Sequence, residues 1–162
     1  MPMFKRQDNA DAWINKGTNL YRLGRFAKAI KCYDKALHIN SKLAEAWISK
    51  GVSLKSLGYL TEALNCYDKA LEINPKLAEA WYNNGVSLKR LGYPDEALNC
   101  FDKALEINPQ YQEAWSNKGV ILDSLGRFAE AIECYDKALE INPQYAAAWE
   151  PHFSTFSGFL MK

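Results

Sequence analysis

Histidine is scarce, with two in 162 residues, His38 and His152. General acid–base chemistry, which uses imidazole most often, therefore has few candidates. Neither sign of charge dominates: 20 basic residues stand against 19 acidic ones. Steering to nucleic acid by bulk charge is thereby excluded. No stretch approaches the ~20 consecutive apolar residues of a membrane span. Met1-Pro2-Met3-Phe4-Lys5-Arg6 has no apolar run and does not read as a secretory signal, so a cytoplasmic location with reduced thiols is expected. What the chain does have is apolar material, 48% of its residues, which is enough to offset the entropy of folding and excludes general disorder.

The rarer residues stand in register. Trp13, Trp47, Trp81, Trp115 and Trp149 are each 34 residues apart, and Cys32, Cys66, Cys100 and Cys134 keep the same interval. Eight of the nine glycines form two more series, Gly17, Gly51, Gly85, Gly119 and Gly24, Gly58, Gly92, Gly126. Residues 44–77 and 78–111 share 25 identities in 34 positions. Such a period signals a stacked array rather than one compact core. The units are 10–43, 44–77, 78–111 and 112–145, after a leader at 1–9 and before a segment at 146–162 that begins a fifth unit.

Each unit reads as two helices. Trp13, Gly17, Leu20 and Leu23 are spaced by four, three and three, a helical stripe that stops at Gly24, where a left-handed C-terminal cap is expected. A second helix is expected from about Phe26 to Ile39, with Ala29, Tyr33, Ala36 and Leu37 on one face. Asn74-Pro75, Asn108-Pro109 and Asn142-Pro143 then interrupt the helical pattern, because the residue before proline disfavours the helical region. Ser41 replaces this proline in the first unit, so a less sharply turned connection is expected there. Helix axes 8–10 Å apart need small residues where they meet, and Gly17 and Ala29 with their equivalents supply them. Lys16, Lys50 and Lys118, three residues after Trp, can lay their methylenes on the core edge and keep their charge in water.

In the second unit Trp47, Gly51, Gly58, Ala63, Tyr67, Ala70 and Pro75 together resemble the signature of the tetratricopeptide repeat, and the match extends over residues 10–145. The resemblance implies an all-α, right-handed superhelical solenoid of antiparallel helix pairs. It also implies an inner groove, lined by the first helix of each pair, that holds an extended or helical segment of a partner protein. Some chaperone adaptors of this family clamp a C-terminal carboxylate with Lys, Asn and Arg. The corresponding residues are Ile14, Thr18, Ser49, Glu79 and Asn83, or, one unit later, Ile48, Val52, Asn83, Glu113 and Asn117. Neither frame has the cations, so that clamp is not expected.

A second apolar stripe lies roughly 80–140° around the first helix from Trp at ~100° per residue. It contains Ile14, Ile48 and Tyr82, then Val52, Val86 and Val120. Two readings remain open for it: packing on the next unit, or the floor of a groove. Asn15, Thr18, Ser49, Asn83 and Asn117 would flank that floor, with Asp11, Glu45, Glu79 and Glu113 on one rim and Arg22, Lys55, Lys89 and Arg90 toward the other. The rim charges also complement the helix dipoles, a sufficient reason for any one of them.

No catalytic residue, metal site or cofactor is expected. Equivalent cysteines in successive units are too far apart for tetrahedral zinc or a disulfide and read as small buried thiols. No phosphate loop or nucleophile elbow occurs. The expected function is a protein-interaction scaffold and not an enzyme, with another protein or peptide as partner and neither nucleic acid nor membrane. The alternative is a module that self-associates through its ends or its C-terminal segment, for instance as a homodimer through residues 146–162. That segment, with Phe153, Phe156, Phe159 and Leu160, reads as a cap on the last hairpin, a frayed tail or a docking segment.

Overall fold

The computed structural model describes residues 3–144, with side chains from Asn9 onward. The cap, tail and docking readings of residues 146–162, and the homodimer through them, lie outside the described residues. Eight helices are present among the described residues: α1 (Met3–Arg22), α2 (Phe26–Ile39), α3 (Ala44–Ser56), α4 (Leu60–Ile73), α5 (Ala78–Leu91), α6 (Pro94–Ile107), α7 (Gln112–Ser124) and α8 (Phe128–Ile141). The chain is all-α and packs pairwise as antiparallel hairpins, α1 with α2, α3 with α4, α5 with α6 and α7 with α8. Met3–Asn9, expected as a leader, instead lengthens α1.

Each hairpin is closed by an aromatic ring laid across a glycine. A Cβ on Gly51 would stand 2.5 Å from Cε1 of Tyr67, one on Gly17 2.6 Å from Cε1 of Tyr33, and one on Gly85 2.8 Å from Cε1 of Phe101. Real Cβ atoms do not approach ring carbons that closely, so the first helix must lack a side chain there. The partner alanines Ala29, Ala63 and Ala97 are fully buried at the same crossings. The first helix then stops at a glycine with positive φ. Gly58 has φ 87°, its N–H reaches the Lys55 carbonyl at 3.0 Å, and the Tyr59 N–H reaches back to Leu54 at 3.0 Å. This is the left-handed cap expected after each first helix. Leu23, assigned to the first stripe, lies beyond the end of α1 and is 68% exposed.

The chain divides into two compact units, Met1–Asn108 and Pro109–Lys162. In the first, α2 packs on α3 and α4 on α5. One junction core gathers Ile14, Ala29, Tyr33, Ala36, Leu37 and Ala46, edged by Trp13, Leu20, Tyr21, Leu43 and Trp47. The next gathers Ile48, Ala70, Leu71 and Ala80, edged by Trp47, Val52, Leu77 and Trp81. The first helices also touch one another, α1 with α3 and α3 with α5, whereas within this unit α2, α4 and α6 contact only first helices. The side formed by α1, α3 and α5 is therefore the tighter, concave one. The second unit holds the α7–α8 hairpin, in which Gly119 meets Tyr135 as its counterparts do.

The turn between repeats has the same form with and without proline. Asn40 and Asn74 both have φ −145° and ψ 102°. The Asn40 Oδ1 accepts from the Lys42 N–H at 3.0 Å, and the Asn74 Oδ1 from Lys76 at 3.0 Å. The following tryptophan donates its Nε1–H to Ser41 in one case and Pro75 in the other, each at 2.9 Å. The expected looser turn at Ser41 is thus corrected: the asparagine side chain and the indole hold it, and proline only restricts a conformation already fixed.

Gly51→Ala tests the ring contact. Alanine favours a helix by ~1 kcal/mol over glycine, yet overpacking against Tyr67 costs about 1–3 kcal/mol. The expected net outcome is a fall in thermal stability; a rise in the unfolding midpoint would show that the ring can move aside at no cost.

Candidate functional site

The concave side of the first unit holds most of the residues singled out from the sequence, but not all face outward. Ile14 and Ile48 are 7% and 5% exposed and belong to the two junction cores. They are corrected from groove floor to repeat-to-repeat packing. Val52 is half-buried and packs on the second core, so the stripe divides between the two readings. Tyr82 and Val86 on α5 are half-buried, with the Tyr82 ring 5.9 Å from that of Phe101. Asn15 is exposed on α1. Asn117 and Val120 are half-buried on α7 of the second unit, where Asn117 Nδ2 donates to the Glu113 carbonyl at 2.9 Å.

Polar residues beneath this surface are tied into the fold. Thr18 and Ser49 hydrogen-bond the Tyr33 hydroxyl, which partly offsets the burial that raises its pKa. One repeat later Val52 stands in place of Thr18 and Asn83 in place of Ser49. The Tyr67 hydroxyl, fully buried, then finds no partner among the described residues, and burial pushes its pKa far up. Asn83, 5% exposed, is engaged elsewhere: its Nδ2 donates to the Glu79 carbonyl at 2.9 Å, and its Oδ1 accepts from Lys55 Nζ at 2.6 Å. Arg90 spans the same seam, donating from Nη1 to the Lys55 carbonyl at 3.3 Å. Burial, then the neighbouring Arg90 guanidinium, hold the Lys55 ammonium below the ordinary lysine pKa, with Glu79 opposing. Burial acts the same way on Lys89.

The link between Lys55 and Asn83 was not foreseen. Its signal in the sequence is a lysine eight residues after one tryptophan and an asparagine two residues after the next. The lysines three residues after Trp were also only partly understood. Lys16, Lys50 and Lys118 place Nζ 5.1, 5.5 and 5.6 Å from the centroids of Trp13, Trp47 and Trp115. Lys35 and Lys103, from the second helices, approach Trp13 and Trp81 at 4.1 Å. Their charges rest on indole faces, a favourable cation–π position. Lys50 Nζ also meets Asp34 Oδ1 across the repeat junction at 2.6 Å, and Asn84 makes the equivalent bond to Asp68 at 2.9 Å.

Sequence models of the "Tetratricopeptide repeat" match residues 10–43, 113–145 and 78–111, and a "TPR repeat" model matches 51–92. The chain belongs to the tetratricopeptide repeat family. Among curated proteins, no sequence matches it significantly. Two solved structures illustrate the shared fold. The crystal structure of MamA superposes with a TM-score of 0.78 at 24% identity, covering 86% of this chain and 81% of that one. The first TPR of Spaghetti (RPAP3), bound to the HSP90 peptide SRMEEVD, superposes with a TM-score of 0.72 at 21% identity, covering 74% and 95%.

The four tetratricopeptide cysteines are buried on the second helices and form no disulfide with one another. Among the described residues no group of three His, Cys, Asp or Glu could hold a metal, and no helix is long and apolar enough to cross a membrane. Burial pushes the thiols of Cys66 and Cys100 up to about 11. A thiolate-seeking disulfide reagent at pH 8 should therefore label these two slowly in the folded protein and fully in denaturant. Rapid native labelling of either would contradict their burial.

The two tyrosines give a second test. Tyr33→Phe removes satisfied hydrogen bonds and should cost about 0.5–1.5 kcal/mol. Tyr67→Phe removes an orphaned hydroxyl and should be neutral or stabilising; the sequence already makes this exchange at Phe101. Chemical denaturation of both variants checks the difference, and equal losses would show that Tyr67 has a partner.

Proposed function

We propose that this protein is an interaction scaffold whose first three repeats hold an extended or helical segment of a partner protein along α1, α3 and α5. The observation that carries the reading is the contact of these three helices on one concave side, with half-buried Val52, Tyr82 and Val86 along it. Partly exposed apolar side chains in a row suit a contact surface. The neighbouring structure of an HSP90 peptide on a tetratricopeptide repeat supports the same mode of use. The groove residues are then Asn15, Thr18, Val52, Tyr82, Val86, Lys89 and Arg90, with Lys55, Asn83 and Ser49 beneath or beside them. Four buried cysteines that form no disulfide with one another suit work in the reducing cytoplasm.

Self-association is the second reading, and one observation favours it. Leu125, Phe128 and Ile132 are exposed on the α7–α8 hairpin, where another apolar surface could cover them. Light scattering across a wide concentration range separates the two, since a constant monomer mass removes self-association.

The groove reading is tested by selecting a displayed library of random 12-residue peptides on the full chain. Selected peptides should bind the parent protein and lose about tenfold or more in affinity, ~1.4 kcal/mol, on Val86→Asp. Thermal unfolding confirms that the variant is folded, with Val86→Ser as the milder replacement. Affinities unchanged on a folded variant would overturn the groove.

A further inference from the structure

Lys55 is a half-buried cation whose hydrogen-bond partner is a neutral amide. Among the described residues no carboxylate lies within ion-pair distance of it, and its strongest charged neighbour is another cation, Arg90. A partly desolvated charge is normally matched by an opposite one. The mismatch sits on the concave side, where α3 and α5 meet near their C-terminal ends.

We propose that Lys55, Asn83 and Arg90 form a carboxylate-binding subsite that receives one Asp or Glu side chain of the partner segment. This rests on the groove reading above and adds its chemistry: the partner is acidic at one fixed position.

Three observations support the assignment. The first is charge. Helix C-termini carry roughly half a negative charge each, so the ends of α3 and α5 offset part of the two cations, and Glu79 opposes at Lys55 more weakly than Arg90 acts on it. No ion pair neutralises either cation among the described residues. The second is geometry. Lys55 Nζ is held at 2.6 Å by Asn83 Oδ1, and Arg90 is anchored on the Lys55 carbonyl through Nη1. An ammonium and a guanidinium are thus fixed on one seam, the combination that makes short, charge-assisted bonds to a carboxylate. Val52 and Val86 lie one turn earlier on the same two helices, so an apolar contact and an acidic contact fall within reach of one short segment.

The third is the fate of Asn83. A carboxylate that takes the Lys55 ammonium releases the Asn83 oxygen. Ser49, in the same register one repeat earlier, hydrogen-bonds the Tyr33 hydroxyl. The counterpart hydroxyl, on Tyr67, is buried and unpartnered among the described residues. The released oxygen therefore has a donor in the register where the preceding repeat already makes this bond. Exchange of partners at Asn83 leaves fewer buried polar groups unsatisfied than before, which favours the bound state.

The test uses the peptides selected from the 12-residue library. Glu→Gln or Asp→Asn at one position should weaken binding to the parent protein by about tenfold or more. The same change should have little effect on Lys55→Gln/Arg90→Gln, because the cycle of substitutions isolates the contact. Thermal unfolding checks the variant, and Arg90→Gln alone serves if the pair does not fold. Selected peptides with no acidic position, or an acidic position whose neutralisation costs the same on both proteins, overturn the subsite and leave the groove standing. A library that yields no binder, or binders indifferent to Val86→Asp, overturns both.

Discussion

An aromatic ring resting on a bare stretch of helix backbone is the contact on which the structure depends. Tyr33 on Gly17, Tyr67 on Gly51, Phe101 on Gly85 and Tyr135 on Gly119 set how closely the two helices of each hairpin approach. With that separation fixed, Ala29, Ala63 and Ala97 fit between the backbones. The tryptophan four residues before each glycine comes to the hairpin edge, and Ala46 and Ala80 reach into the junction with the preceding repeat. The contacts of α3 with α1 and with α5 follow from those junctions. The concave surface is thus a consequence of a missing Cβ repeated every 34 residues.

The same contact explains why helix positions were legible in the sequence. Glycine, alanine and aromatic residues at this spacing leave few ways to pair two helices, and α2 spans the expected Phe26–Ile39. The cap at each second glycine was legible because positive φ leaves little choice of residue. Ile14 and Ile48 were not legible as core. A residue about 100° around the helix from tryptophan faces either the next repeat or the open side, and the crossing angle between repeats decides which. That angle comes from side chains in two repeats at once, and the pattern within one helix does not contain it. Ser41 misled for a different reason: proline marks the turn in the other repeats, but asparagine and tryptophan hold it.

The polar layer under the concave side was the least legible part, because its bonds join side chains in different repeats. Thr18 and Ser49 satisfy Tyr33, whereas Val52 and Asn83 in the same places leave Tyr67 without a bond among the described residues. Each substitution looks conservative within its own helix. Only their conjunction against one hydroxyl changes the outcome. The equivalence of the repeats is therefore geometric, while their chemistry differs at the few positions where neighbours meet the concave side.

The indole bond at the repeat entrance has a consequence for how such a chain can change in length. Trp47 and Trp81 each fasten a carbonyl six residues earlier, and Trp115 does the same to Pro109 at 2.9 Å. Donor and acceptor travel together on a short piece of chain, so the fastening needs nothing from a neighbour. A duplicated stretch of 34 residues would bring its own latch already in register. Growth or shrinkage by whole copies would keep every entrance intact, whereas an insertion of a few residues between acceptor and tryptophan would unfasten one.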